Sequence, residues 1–186
     1  MLRYFSSIIL VLCIFTLPAE QKKLIKNGSF DTKKFWELEN GRFIKTKKGS
    51  CFVKLEASNN LGVLGQKISL KPGTFFVYYR TAGHKDASVS VISSSMNIAQ
   101  ATSNTSFADS YGVSSGKWEY HVAKIEIKKG QRYLVFYIGV NIEAPLVDPK
   151  RFRVIDDVFL SRKAKLEKWP IEWSENANGR AVIVEE

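Results

Sequence analysis

Two cysteines, two histidines, two methionines and five prolines are scattered through 186 residues, and each scarcity excludes something. Cys13 and Cys51 allow one bridge at most, so the chain is not a disulfide scaffold. With His84 and His121 as the only imidazoles there is no zinc helix motif, and neither a phosphate loop nor a nucleophile elbow is present. His84 sits in a turn-like Gly83-His84-Lys85-Asp86 and His121 alternates with strand residues, so both read as surface or packing residues. No segment joins helical periodicity to helix caps. The apolar run Ile8 to Leu17 is ten residues long, about half of the ~20 that a membrane-spanning helix needs.

That run suits an export signal. Arg3 supplies a positive n-region, Ile8 to Leu17 the apolar core and Pro18-Ala19 a small-residue exit, with cleavage expected after Ala19. Leu12 before Cys13 is too bulky for a lipoprotein signal. A secreted, periplasmic or extracellular location follows as an expectation. Residues 20–162 then form one domain, and 163–186 a tail that is either a docked strand or the stump of a second module. Cys51 is left without a partner and reads as a small buried apolar residue.

What the chain does have is positive charge and strands. The net charge is +10, and ten cations fall between Lys22 and Lys54. Such a surface attracts acidic polysaccharide, anionic lipid or nucleic acid, or simply keeps the protein soluble; export and the lack of a recognition motif argue against nucleic acid. Short strand patterns separated by turns run from Arg42 to Leu160, and Lys71-Pro72-Gly73 is a turn with a mechanism, since Pro fixes φ and Gly accepts the positive φ that follows. Phe75 to Thr81 is the strongest strand. Period two puts Phe75, Val77 and Tyr79 on one face and Phe76, Tyr78 and Arg80 on the other. In Arg132 to Val140, likewise, Leu134, Phe136 and Ile138 make the better core set, leaving Tyr133, Val135 and Tyr137 outside. Trp36 and Trp118 read as core residues. Ser93 to Gly116 is a long polar stretch without periodicity.

Two motifs bracket this array: Asn27-Gly28-Ser29-Phe30-Asp31 near the start and Val154-Ile155-Asp156-Asp157-Val158-Phe159-Leu160 near the end. They suggest a sandwich whose first and last strands meet. Consecutive strand residues point to opposite faces, so Asp156 and Asp157 cannot flank one glycosidic bond, and catalysis is not expected. The carboxylates suit calcium better: Asp31 and Asp156 would share an ion completed by carbonyls from Gly28 and Ser50, unless Asp31 caps a turn and Asp156 bonds backbone amides. If the aromatic strands adjoin, Phe76, Tyr78, Arg80, Tyr133 and Tyr137 line one face on which sugar rings would stack; otherwise a second sheet, a loop or the tail covers them.

The opening Leu24 to Asp31, Trp36, Gln66 to Phe75, Lys117-Trp118 and the closing Ile155-Asp156-Asp157-Val158 together resemble the carbohydrate-binding modules of families 4 and 9. The resemblance covers about Leu24 to Leu160. It implies an all-β, two-sheet antiparallel jelly roll of the galactose-binding-like type, without catalytic activity, holding polysaccharide on a concave sheet with a structural calcium near the chain ends. Asp156 matches the closing aspartate of that pattern, whereas Asp31 stands where the family more often has Glu. The expected function is therefore polysaccharide binding, with an acidic or sulfated chain favoured by the charge. The rivals are an adhesion subunit gripping a protein through Trp169 and Trp173 of the tail, and a detached accessory module of a glycoside hydrolase.

Overall fold

The computed structural model describes residues 24–56, 61–84, 87–95, 117–140, 152–175 and 180–184, with the backbone alone for 139, 140 and 180–184. The expected export signal and most of the polar stretch after Ser93 lie outside these residues. Ten strands are formed and no helix is seen among the described residues: β1 (Trp36–Glu39), β2 (Gly41–Lys45), β3 (Cys51–Glu56), β4 (Val63–Lys67), β5 (Gly73–Gly83), β6 (Ala87–Ser94), β7 (Glu119–Ile127), β8 (Tyr133–Val140), β9 (Phe152–Ser161) and β10 (Arg180–Val184). All pairings are antiparallel. A four-stranded sheet in the order β1-β4-β8-β6 packs on a six-stranded sheet in the order β10-β7-β5-β9-β3-β2, giving the two-sheet jelly roll.

Alternation decides which side chains meet between the sheets. Phe75, Val77 and Tyr79 of β5 face Leu134, Phe136 and Ile138 of β8 across one core that also takes Trp36, Val53, Leu55 and Ile155. The strand phases read from the sequence are those observed. Trp36 is in the core, and half-buried Cys51 packs against its edge with a free thiol. Trp118 is not a core residue. It lies one position before the inward-facing Glu119, so period two turns it outward, where it is half-buried.

The ends of the domain meet as expected, although the opening motif is a bent segment and not a strand. Val158 N–H donates to the Gly28 carbonyl at 2.9 Å. A Cβ on Gly28 would lie 1.9 Å from the Val158 carbonyl oxygen, so only glycine lets the two backbones approach. Beside this seam β9 carries a bulge. Tyr78 pairs with Phe159 and Arg80 with Asp156, so Tyr79 alone faces both Asp157 and Val158, and Asp157 takes φ 49°.

One end of the core is ionic. Glu119, His121, Thr81 and Arg153 all point inward and are buried. Arg153 Nη2 donates to Glu119 Oε2 and, at 2.9 Å, to Thr81 Oγ1; Thr81 is hydrogen-bonded to His121 Nε2 at 2.8 Å, and Tyr79 stacks on the imidazole at 4.8 Å. Burial pushes His121 below its ordinary 6.5; Glu119 pulls it back and Arg153 adds to the depression, leaving the net shift downward. The unfolded chain therefore takes up a proton that the fold refuses. The contribution of His121 to stability is complete above about pH 7 and is lost as pH drops through 6.5, at up to about 1.4 kcal/mol per pH unit. Urea midpoints measured from pH 8 to about pH 5 are expected to show this decline, and His121→Asn is expected to flatten it. Below about pH 4.5 the signs divide. Burial raises Glu119, but His121 and Arg153 outweigh it and hold the carboxyl low, whereas Asp156 is held high, by burial first.

Candidate functional site

The five aromatic and guanidinium residues expected to form one face are divided between two. Phe76, Tyr78 and Arg80 lie on the outer side of the six-stranded sheet, Tyr133 and Tyr137 on the outer side of the four-stranded sheet. β5 and β8 belong to different sheets, so no shared cleft exists.

On the six-stranded side the rings are covered. Residues 162–173 cross the sheet as a strap, and Trp169 enters a cage of Tyr120, Tyr78 and Phe159 with edge-to-face contacts at 5.1, 5.7 and 5.9 Å. Trp169 Nε1 donates to the His121 carbonyl at 3.2 Å and Tyr78 Oη to the Lys163 carbonyl at 2.7 Å. Trp173 packs on Phe76 at 6.5 Å. Trp169 is thus buried on the chain's own sheet, and half-buried Trp173 packs beside it. Arg80 is engaged as well. Its Nη2 donates to Asp156 Oδ2 at 2.8 Å, its Nε lies 2.9 Å from Asp157 Oδ2, and its guanidinium stacks 4.5 Å from the Trp118 ring. On the other sheet Tyr137 is buried and Tyr133 half-buried, packed with Val63, Val135 and Ile92.

The same contacts bear on calcium. Asp156 uses one oxygen on Arg80, and the other accepts from Asp157 N–H at 2.8 Å. The bulge turns Asp157 towards the same guanidinium, which stands where a metal ligated by both would stand. Asp31 is exposed and accepts from Ser29 Oγ at 2.6 Å, and the Ser50 carbonyl accepts from Thr46 N–H at 2.8 Å. No group of three or more His, Cys, Asp or Glu able to hold a metal occurs among the described residues. The arrangement does not fit a calcium shell that includes Asp156.

A concave surface with free chemistry lies elsewhere, beside β1. It is a groove of about 1110 Å³ walled by Leu24 and Lys26, by Phe35 to Glu37, by Gln66 to Leu70 at the end of β4 and by Gly130 to Arg132 in the turn between β7 and β8. Its position follows from the opening segment. Gln66 is buried and clamps Lys26 from both sides, its Oε1 accepting from Lys26 N–H and its Nε2 donating to the Lys26 carbonyl, each at 2.8 Å. Trp36 Nε1 donates to the Asn27 carbonyl at 2.8 Å, and Phe30 turns inward to meet Trp36 at 5.1 Å.

Between Asn27 and Trp36 the chain has to double back, and Asn27, Phe30 and Phe35 all have positive φ, with Phe35 at 75°. A bulky aromatic in that region carries about 1–3 kcal/mol of strain. Phe35 is also 56% exposed, which makes it the most exposed large apolar side chain described. The Lys26 ammonium sits 5.0 Å from its ring centroid. Sequence reasoning passed over Phe35. The signal was its adjacency to Trp36: once Trp36 begins a strand facing the core, the preceding aromatic faces away.

No protein-family model and no curated protein matches the chain. Solved structures do. The carbohydrate-binding module TmCBM61, in complex with β-1,4-galactotriose, matches with a TM-score of 0.53 at 18% identity, over 76% of this chain and 99% of that one. The enzymatically active domain of bacteriophage CBA120 tailspike protein 4 matches at 0.47 and 13%, over 75% and 21% of the two chains. The module CBM6cm-2 from Cellvibrio mixtus lichenase 5A, in complex with cellotriose, matches at 0.43 and 9%, over 76% and 98%. At these identities the likeness is one of fold, and the first of the three carries it.

Proposed function

We propose that this chain is an exported, non-catalytic module that binds polysaccharide in the groove beside β1, with Phe35 as its stacking platform. The observation that carries the reading is Phe35 itself, a phenyl ring displayed to solvent by strained backbone at a concave surface. The apolar C–H faces of a sugar pack on such a ring, and the groove's Lys, Arg and Gln side chains supply polar contacts. Glu37 is the one carboxylate among the described lining residues, whereas glycoside hydrolysis needs two across the scissile bond. The fold likeness to a carbohydrate-binding module supports the class of function. A net charge of +10 adds a long-range preference for acidic or sulfated chains without choosing a site.

Affinity electrophoresis through gels loaded with different polysaccharides tests the proposal. The wild-type chain is expected to be retarded by at least one of them, and Phe35→Ala to weaken that binding about tenfold, the loss of roughly half of a phenyl ring's burial energy. Phe35→Gly relieves the backbone strain and is expected to lose binding equally while folding at least as stably. Unchanged retardation in both variants would place the ligand elsewhere.

A further inference from the structure

Resting on that reading, we infer that the groove selects sugars bearing an oxyanion, a ring carboxylate or a sulfate ester, and that Lys26, Lys67 and Arg132 receive it. The three cations enter from separate elements: Lys26 from the opening segment, Lys67 from the end of β4 and Arg132 from the turn between β7 and β8. All three are exposed, and none forms an ion pair with a described residue, unlike Arg42, Lys54, Arg80 and Arg153 on the six-stranded sheet, which are each matched to a carboxylate. Against them the described lining carries the single acid Glu37.

Placement adds to charge. The Gln66 clamp fixes the Lys26 backbone, and the Lys26 ammonium stands over one face of the Phe35 ring, so an anionic sugar approaching that face meets the cation there and one packed on the opposite face has it across the ring. The Arg132 backbone is held from both sides, its N–H donating to the Ser94 carbonyl at 2.8 Å and its carbonyl accepting from Ile68 N–H at 2.6 Å. A guanidinium fork on fixed backbone matches the paired oxygens of a carboxylate or sulfate. Ring and charge are therefore addressed in one groove, which a general basic surface does not achieve.

Titration with three probes tests this: a polyuronate, a sulfated galactan and the uncharged galactan, at low and at raised salt. Tighter binding of an anionic probe than of the neutral one, about tenfold at low salt and shrinking as salt rises, is the expected result. Which anionic probe is held distinguishes carboxylate from sulfate. Lys26→Gln, Lys67→Gln and Arg132→Gln are each expected to weaken anionic binding about three- to tenfold and leave neutral binding alone. The control Lys47→Gln/Lys48→Gln removes two exposed charges from the turn between β2 and β3 and is expected to change it less than about twofold. Equal losses in control and groove variants would overturn the inference in favour of general surface charge. Neutral galactan bound as tightly as the better held of the two anionic probes would overturn it while leaving polysaccharide binding standing. Retention of no polysaccharide by the wild type would overturn both.

Discussion

Glu119→Gln is expected to destabilise the fold by about 3–5 kcal/mol, the largest single effect foreseen for this chain. The exchange keeps the volume of a side chain that is 1% exposed, so the loss is electrostatic. The Arg153 guanidinium, also 1% exposed, would stay in the core facing a neutral amide in place of the carboxylate, with the Thr81 hydroxyl and the His84 carbonyl as its other partners, none of them carrying charge. His121 would lose a carboxylate 3.6 Å away and be pressed further towards its neutral form. Chemical denaturation at pH 7.5 measures the loss. The double variant Glu119→Gln/Arg153→Met is expected to regain more than half of it, because a buried ion pair replaced as a unit leaves no charge unpaired. A single-variant loss below about 1 kcal/mol would mean that water reaches this end of the core.

The second large effect concerns the strap. Trp169→Ala removes a ring that fills a cage of three aromatics, together with the indole hydrogen bond, and is expected to cost about 3 kcal/mol. A spectroscopic reading separates loss of the strap from loss of the domain. Tyr78 is held up at about 12, by burial first and by Glu172 second, and its hydroxyl donates to the Lys163 carbonyl. Alkaline titration of phenol absorbance is expected to show that late-ionising tyrosine in the wild type and its return towards the ordinary 10.0 in Trp169→Ala, with the sandwich still folded at neutral pH. The sign also predicts alkaline sensitivity in the wild type: the folded chain keeps a proton between pH 10 and 12 that the unfolded chain gives up, so stability falls across that interval.

What was legible in the sequence is what period two controls. The inner and outer faces of β5 and β8 follow from alternation, and so does the two-sheet fold built from them. Strand adjacency is a long-range property, and the sequence carried no mark of it: β5 turns out to lie between β7 and β9, with β8 in the other sheet, which separates Phe76 and Tyr78 from Tyr133 and Tyr137. The tail was half legible. An aromatic outer face on β5 and two tryptophans in the tail are complementary, and burying one with the other removes both from water. The bulge at Asp157 was invisible, since a single extra residue has no compositional signature. It cancels the alternation that placed the two aspartates on opposite faces and delivers both to Arg80. The groove was missed because its walls come from four distant segments, although the exposure of Phe35 was readable beside Trp36.

The position of β5 has a kinetic consequence. This central strand is covered along its edges by β7 and β9, across its outer face by a strap some ninety positions later in the chain, and Gly28 near the start has no seam to close until Val158 has been added. Most of these contacts therefore close long loops, since β5 pairs along both edges with strands that come much later in the chain. An incomplete chain would expose the apolar flanks of β5 until β9 and the strap had followed, so folding is expected to be slow, of the order of milliseconds to seconds, and to require the strap.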